Sequence, residues 1–290
     1  MSEMRAFEGL RLAILIPCGN EAATIGAVVR GFREALPDAR VHVFDNNSTD
    51  DTARVAAHAR ARVFRESRQG RDSVVRRMGG DIDADIYVTA TGDGTCDPAD
   101  APSLVNALVT EHVDMVVGTR RSAAGARMLD RACRALLGPG FTDAVSGYRA
   151  VTRRFVKSFP AVSTGLGIET EMSVHAGQLM IPVAEMALDD GRRPDISGGG
   201  SRTAPGGWRM LATFLRLVKA TRPFAFCVAI ACAFAVAGLA LMAPAAFLAS
   251  AMLAVAALAL ACGLILDAIG RARIEQKRIL FLGVPPLPLQ

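Results

Sequence analysis

The chain has 290 residues, 51% of them hydrophobic, and 33 lysines and arginines against 28 acids leave a net charge of +5. That length holds one large α/β domain with an addition, or two modest domains. The charge is modest, and there is no lysine-rich tail or basic stripe interleaved with aromatics, which argues against nucleic acid as a partner.

In chain order, residues 12–17 are a continuous apolar run, closed by Pro17 and the polar Gly19, Asn20 and Glu21, and predict a strand. Ile25, Val28, Val29 and Phe32 recur at helical spacing and predict a helix over 23–36. The stretch VHVFDNNSTDDT, residues 41–52, reads as a second strand over 41–45 running into a dense Asx/Ser/Thr loop, with a helix over 50–59. Taken alone, that loop is equally well a strand–turn–helix joint whose side chains cap the helix. Residues 62–65 predict a weak third strand, 69–82 a basic amphipathic helix, and 86–90 a fourth strand ending in Thr91, Gly92, Asp93, Gly94 and Thr95. A helix over 99–110 and a strand over 114–118 follow.

Beyond Gly118 the pattern is less regular. It predicts a helix over 127–137, a loop and strand over 141–151, a helix over 169–179 and an edge strand over 181–188. Residues 191–207, rich in Gly, Arg, Pro and Ser, read as a loop. Residues 208–219 set Trp208, Leu211, Leu215 and Val218 opposite Arg209, Arg216 and Lys219, which suits a helix lying in a membrane interface.

Strands alternating with helices at this rhythm predict an α/β fold with a mostly parallel, doubly wound sheet. Ligands of such sheets gather at the carboxyl edge of the strands. Three polar, acid-bearing loops leave successive strands there, at 17–21, 45–50 and 91–97, and together they predict a binding site.

From Phe224 the composition changes. FAFCVAIACAFAVAGLALMA carries no charge, and AAFLASAMLAVAALALACGLIL after Pro244 offers a second span, each close to the ~20 residues that cross a bilayer core as a helix. Neither keeps the polar face of a soluble helix. Lys219 and Arg222 precede the first span, and Arg271, Arg273, Lys277 and Arg278 follow the second, so both ends and the large domain are expected in the cytoplasm. The expected layout is a domain over 1–205, an interfacial helix over 206–222, two spans over 223–270 and a cytoplasmic tail over 271–290, in the cell (inner) membrane. The amino terminus has too short an apolar run for a signal peptide. The six cysteines, at positions 18, 96, 133, 227, 232 and 262, show no metal or redox spacing and read as buried thiols.

The segments ILIPCGNEAATIGAVV, VFDNNSTDDTARVA, RQGRDSVVRRM, TGDGTCDP, VVGTRR, FTDAVSGYRAVTRRFVKSFP and GIETEMSVHA resemble the inverting family 2 glycosyltransferases of the GT-A fold. Within that family the chain is similar to the dolichol- and polyprenyl-phosphate sugar transferases. The resemblance covers about residues 12–188. It implies a UDP- or GDP-hexose donor, a polyprenyl phosphate acceptor, a Mg²⁺ or Mn²⁺ cofactor and a lipid bilayer as surroundings; it leaves a homo-oligomer open. By position, Pro17, Asn20 and Glu21 would line the base pocket, with Asp45 on base or ribose and Asn47 beside it. Asp93 would be the last acid of the metal-binding Asp-x-Asp motif, with Thr91 and Gly92 next to it. Arg120 and Arg202 would face the diphosphate or lipid phosphate, and Asp143, Ser146 and Arg149 the acceptor side.

The chain departs from the family pattern in four places. Thr91 stands where the first acid of Asp-x-Asp is expected, and Gly94 where relatives often have another acid. Arg71 and Asp72 replace a Lys-Gly pair, and the segment between Gly118 and Phe141 is short. These departures leave two other readings open: a non-catalytic nucleotide-sugar-binding membrane protein, or a transferase with a soluble acceptor. Glu169 and Glu171, two apart, cannot share a helix face, and His175 reads as structural.

Overall fold

A computed structural model describes residues 9–66, 79–119, 143, 146–160, 168–188, 215, 218–219, 221–242 and 246–287. The chain divides into two compact units, one of residues 1–205 with 279–290 and one of 206–278.

The first unit is a seven-stranded sheet. Its strands are β1 (Leu12–Cys18), β2 (Arg40–Asp45), β3 (Arg62–Arg65), β4 (Ile86–Thr89), β5 (Met115–Thr119), β6 (Arg149–Thr152) and β7 (Val183–Ala187). They lie in the order β3-β2-β1-β4-β6-β5-β7. All pairings are parallel except those of β6, which runs antiparallel to both β4 and β5. The loops after β1, β2, β4 and β5 therefore leave one edge of the sheet, and the reversed β6 enters from that same edge.

Strand alternation sorts the side chains. Ile14, Ile16, Val43, Ile86, Val88, Val116 and Ala150 share one face in register. They form a common core with helices α1 (Ile25–Ala35), α2 (Thr52–His58) and α3 (Ala101–Thr110), through Ile25, Val29, Phe32, Ala56, Leu104 and Leu108. On the other face lie His42 and Phe44, with Phe64 stacked 4.9 Å from Phe44, and the buried Tyr87, Met115 and Arg149. A short helix α4 (Arg153–Ser158) and α5 (Ile168–Leu179) follow β6. Phe155, Phe159 and His175 form a ring cluster there, and Ser158 and His175 Nε2 lie 2.9 Å apart. His175 is buried, in its expected structural setting.

Two sets of ion pairs brace the sheet, one around the buried Asp114 and one exposed. Asp114 accepts from Nε and Nη2 of Arg154 and from the hydroxyl of Thr152, the last at 2.7 Å. At the amino edge of the sheet, Arg11 forks between Asp83 and Asp85.

Helix α4 was not expected from the sequence. Its signals are local: Thr152 accepts from the Phe155 amide as N-cap, and Pro160 lies just beyond the end. The helix expected over 99–110 begins as a 3-10 turn, Pro98–Asp100, held by Asp97 Oδ1 accepting from Ala99 N. The helix expected over 127–137, the loop over 191–207 and most of the expected interfacial helix lie outside the described residues.

The second unit contains α6 (Pro223–Ala240) and most of α7 (Ala246–Leu282), with mean hydropathies of 2.3 and 2.4 in their most apolar windows. Only 11% and 17% of those windows are buried. The buried residues are small: Cys227, Ala231 and Gly238 on α6, and Ala249, Ala256 and Gly263, spaced seven apart, on α7. Small side chains let helix backbones approach closely. A Cβ on Gly263 would stand 2.7 Å from Cys227 Cβ, and one on Gly238 would stand 3.2 Å from the Ala249 carbonyl oxygen.

The second helix outruns the expected span. It continues through Asp267, paired with Arg271 one turn on, to Leu282, and stops at Gly283 before Pro285 and Pro286. Thirty-seven residues make a rod about 55 Å long, well beyond a hydrocarbon core of about 30 Å. Charges end a span without ending a helix, so much of the expected tail is helical.

Candidate active site

The loops after β1 and β2 are stitched together by their own polar side chains. Asn20 N donates to Ser48 Oγ at 3.0 Å, Thr49 N to Asn20 Oδ1 at 2.8 Å, Glu21 N to Thr52 Oγ1 at 2.8 Å and Ala22 N to Asp50 Oδ2 at 3.1 Å. Asn46 N donates to the Cys18 carbonyl at 2.8 Å. Asn20 and Asn47 both adopt φ of 57°, a left-handed conformation that asparagine tolerates better than most residues. The Asx/Ser/Thr cluster is therefore neither a mere helix cap nor a free ligand set. Asp51, the N-cap of α2, makes no side-chain capping bond, and the cluster spends its groups on the neighbouring loop.

Asp45 ends β2 at this edge, 1% exposed. Its Oδ1 accepts from Ser48 N at 3.2 Å, and Arg65 Nε stands 4.0 Å from Oδ2. Cys18 sits opposite it in register. Burial, reinforced by Glu21, Asp45 and Asp50, pushes the Cys18 thiol well above its ordinary range, so it is a neutral packing group.

The third loop locks onto the first. Thr24, the N-cap of α1, makes no capping bond; its hydroxyl donates instead to the Gly92 carbonyl at 2.6 Å. Gly92 has no room for a side chain, because a Cβ would stand 2.3 Å from Glu21 Oε2 and 3.0 Å from Cys18 Cβ. Glu21 thus lies against the backbone of the Thr91–Asp93 turn. Within that turn, Asp93 Oδ1 accepts from Thr91 Oγ1 at 2.6 Å, Thr95 N at 3.0 Å and Thr95 Oγ1 at 2.7 Å.

The residues expected on the acceptor side gather where β6 enters the sheet. Asp143 Oδ1 accepts from Ser146 N at 2.9 Å, and Ser146 Oγ donates to the Gly118 carbonyl at 2.6 Å. Asp143 N donates to Glu185 Oε1 at 3.2 Å. Arg149 is fully buried, with Nε donating to the Ser146 carbonyl at 2.7 Å. Burial pulls its guanidinium down to about 10, opposed by the negative charges of Glu169, Asp143 and Glu185. Arg149 therefore holds the entry loop from beneath. Glu185 is a site-edge acid that sequence reasoning missed, and Glu169, named from the sequence only as one of two acids on a helix, stands at the same edge. Glu169 Oε1 would lie 3.6 Å from a Cβ on Gly147, and Thr91 Cγ2 3.8 Å from it, so that glycine separates Glu169 from the third loop. Pro17 lies on β1 opposite Phe44. Arg120 and Arg202 lie outside the described residues, as do Arg71 and Asp72.

Residues 13–156, which include every site residue expected from the sequence except Arg202, match the family model "Glycosyl transferase family 2". Protein RfbJ of Shigella flexneri is 45% identical over 115 residues, 40% of this chain and 89% of that protein. The chain belongs to glycosyl transferase family 2. Among its other family relatives, the undecaprenyl-phosphate mannosyltransferase of Micrococcus luteus is 27% identical over 62% of this chain and 83% of its own. The solved glucosyl-3-phosphoglycerate synthase of Mycobacterium tuberculosis, in complex with Mn²⁺ and uridine-diphosphate-glucose, superposes with a TM-score of 0.56. It is 26% identical, over 64% of this chain and 72% of that one. The GT-A fold expected from the sequence is the fold observed.

In this glycosyl transferase the donor set does not make a resident metal site. Asp93 supplies one carboxylate, and one of its oxygens already accepts three donors. Among the described residues no group of three His, Cys, Asp or Glu side chains is placed to hold an ion. The Thr91 hydroxyl serves as a donor to Asp93.

Proposed function

We propose that this family 2 glycosyl transferase moves a hexose from a UDP- or GDP-linked donor to a polyprenyl phosphate, inverting the anomeric centre, at the cytoplasmic face of the cell membrane. The observation that carries the lipid acceptor is the pair of long, apolar, largely unburied helices that follow the transferase unit. A membrane tether holds a soluble donor site next to an acceptor that cannot leave the bilayer. The likeness to an undecaprenyl-phosphate mannosyltransferase supports the same acceptor. The basic flanks support the orientation.

The chemistry suits this set of residues. A phosphate acceptor is already an anion, so attack on the anomeric carbon needs no strong general base, and catalysis reduces to positioning and charge stabilisation. In this reading Pro17, Asn20, Glu21, Asp45 and Asn47 enclose the nucleoside, and Thr91, Gly92 and Asp93 flank the diphosphate. Arg120 and Arg202 meet the charge that develops on the leaving group. Asp143, Ser146 and Arg149 shape the acceptor side, with Arg149 acting through the loop that it supports.

The likeness to glucosyl-3-phosphoglycerate synthase favours a second reading, a soluble phosphorylated acceptor. One assay separates them. Full-length protein in lipid vesicles is given radiolabelled UDP- and GDP-hexoses with either undecaprenyl phosphate or 3-phosphoglycerate, and the label is partitioned between organic and aqueous phases. Label in the organic phase, released again by mild acid, is expected. Label only in an aqueous phosphorylated product would replace the lipid reading, and no transfer with any donor would refute both.

A further inference from the structure

We infer that the segment Phe281–Leu287 is a latch: it docks on the transferase unit at Arg154 and steadies, from the amino edge of the sheet, the strands β6, β5 and β7 whose other ends frame the site.

The segment is built to dock. Residues 279–290 belong to the first unit, together with the seven-stranded sheet, and carry no charge. Phe281, Val284 and Leu287 are half-buried, while Leu282, Gly283, Pro285 and Pro286 between them are exposed. The helix ends at Leu282, and two successive prolines favour an extended polyproline chain, which repeats every three residues. Val284 and Leu287, three apart, then share one face, and Leu287 packs against the core of the sheet. The prolines also restrict the free segment, so docking it costs less ordering than an ordinary chain would need.

Phe281 covers a structural junction. The Arg154 guanidinium carbon stands over its ring, 4.7 Å from the centroid. The same guanidinium gives Nε and Nη2 to Asp114, which is buried. A guanidinium is planar and weakly hydrated, so it can pair with a carboxylate and stack on an aromatic ring at once. The ring shields the pair from water on that side, and a lower local dielectric strengthens the attraction.

Asp114 in turn joins three strands. Its carboxylate accepts from Thr152 Oγ1, its carbonyl accepts from Thr152 N at 3.0 Å, and its amide donates to the Pro182 carbonyl at 3.1 Å. Thr152 ends β6, Asp114 precedes β5 and Pro182 precedes β7. Toward the site, the same strands carry Arg149, the Gly118 carbonyl that holds Ser146, and Glu185, which holds the Asp143 amide. Strand β6 has only four residues, so the latch and the entry loop are roughly 13 Å of strand apart. Arg154 is thus a positioning residue, and Phe281 fixes it.

The test needs no substrate. Full-length protein is held in a large excess of micelles, and amide hydrogen exchange is followed by mass spectrometry. Phe281→Ala should speed exchange in β5, β6 and β7 by roughly three- to thirtyfold, the range of a cation–ring contact, and leave β1 and β2 at wild-type rates. Phe281→Tyr, which keeps the ring, should match the wild type. Tryptic release of residues 279–290 reports the tail itself. Phe281→Ala and Leu287→Ser should both hasten it, because cleavage tracks the undocked population.

Unchanged exchange in Phe281→Ala would overturn the inference. So would an equal acceleration of every strand, β1 and β2 included, since that is loss of overall stability. A Phe281→Tyr that behaves like Phe281→Ala, or wild-type tail release in both variants, would overturn it as well. If Phe281→Ala does not fold, exchange and tail release in Leu287→Ser still decide the matter.

Discussion

The hydroxyl of Thr91 donates to Oδ1 of Asp93 over 2.6 Å, across the one residue that separates them. The two side chains are a donor and an acceptor that attract. The turn is thereby organised before any ligand binds. A hydrogen bond to a charged acceptor contributes about 1.5–3 kcal/mol. Thr91→Val, which keeps the shape and removes the donor, should lower unfolding stability by roughly that amount, whereas Thr91→Ser should stay near wild type. Denaturant melts of the two variants in the same micelle check this, and equal stability of Val and Ser would show that the bond contributes little.

Gly92 is the contact point between the first and third loops. An added methyl would stand 2.3 Å from Glu21 Oε2, which can swing away, and 3.0 Å from Cys18 Cβ, which cannot. Gly92→Ala should therefore destabilise by about 1–3 kcal/mol, as over-packing of a tight site does. It should also weaken nucleotide binding by displacing Glu21. Gly92→Ala with Glu21→Ala should recover part of the stability and none of the binding, read by denaturant melts and by titration with UDP and GDP.

His42 gives the transferase unit a pH dependence of its own. It is buried on β2 beside Phe64, and burial, with Arg62 and Arg40 nearby, pulls its imidazole from an ordinary 6.5 to about 4. The fold thus favours the neutral ring. Its contribution is complete above pH 6.5, and it is lost as pH falls toward 4, where the unfolded chain binds a proton that the fold refuses. The total is up to about 3 kcal/mol. His42→Gln should flatten the stability profile between pH 6.5 and 4, and an unchanged slope in that window would exclude His42 as the source. The salt-bridged Asp83 and Asp85, whose carboxyls Arg11 holds below the usual range, act only at lower pH.

Most of the sheet was legible because each parallel strand is a short apolar run closed by turn residues, and buried parallel strands leave little else to read. The reversal of β6 was not legible. Direction is set by long-range pairing with β4 and β5, and the alternation of FTDAVSGYRAV is the same for either sense. The site was half legible. The acids of the three loops stood out, but the sequence could not reveal that Asn20, Ser48, Thr49, Asp50 and Thr52 bind one another. Nor could it reveal that Arg149 lies fully buried, because a charged residue in a short strand gives no sign of the carboxylates that Asp143, Glu169 and Glu185 bring from three separate segments. The length of α7 was misread because Asp267 and Arg271 mark the end of an apolar span, while only Gly283 and the prolines after it mark the end of the helix.

The packing of α6 on α7 makes its own prediction. Gly263 meets Cys227 with no space for a side chain, while nothing lies within 4 Å of a Cβ on Gly270 about two turns on. Gly263→Leu should wedge the helices apart and lower the melting temperature of the full chain in micelles, since small residues at such contacts are what allow close approach. Gly270→Leu, on the same helix, should leave it unchanged. Equal effects at both glycines would mean that helix propensity alone is being measured.

The most direct measurement of the central claim, that the three interlocked loops form a nucleotide-sugar pocket, is thermal unfolding of the full-length protein against UDP, GDP, ADP, CDP and inorganic pyrophosphate, each with and without Mn²⁺. A ligand that binds only the native state raises the melting temperature in proportion to the logarithm of its concentration over Kd. The expected result is stabilisation by UDP or GDP well beyond that of pyrophosphate, enlarged by Mn²⁺ and abolished by Asp45→Asn. Equal and small shifts for every nucleotide and for pyrophosphate, unaffected by Asp45→Asn, would contradict it.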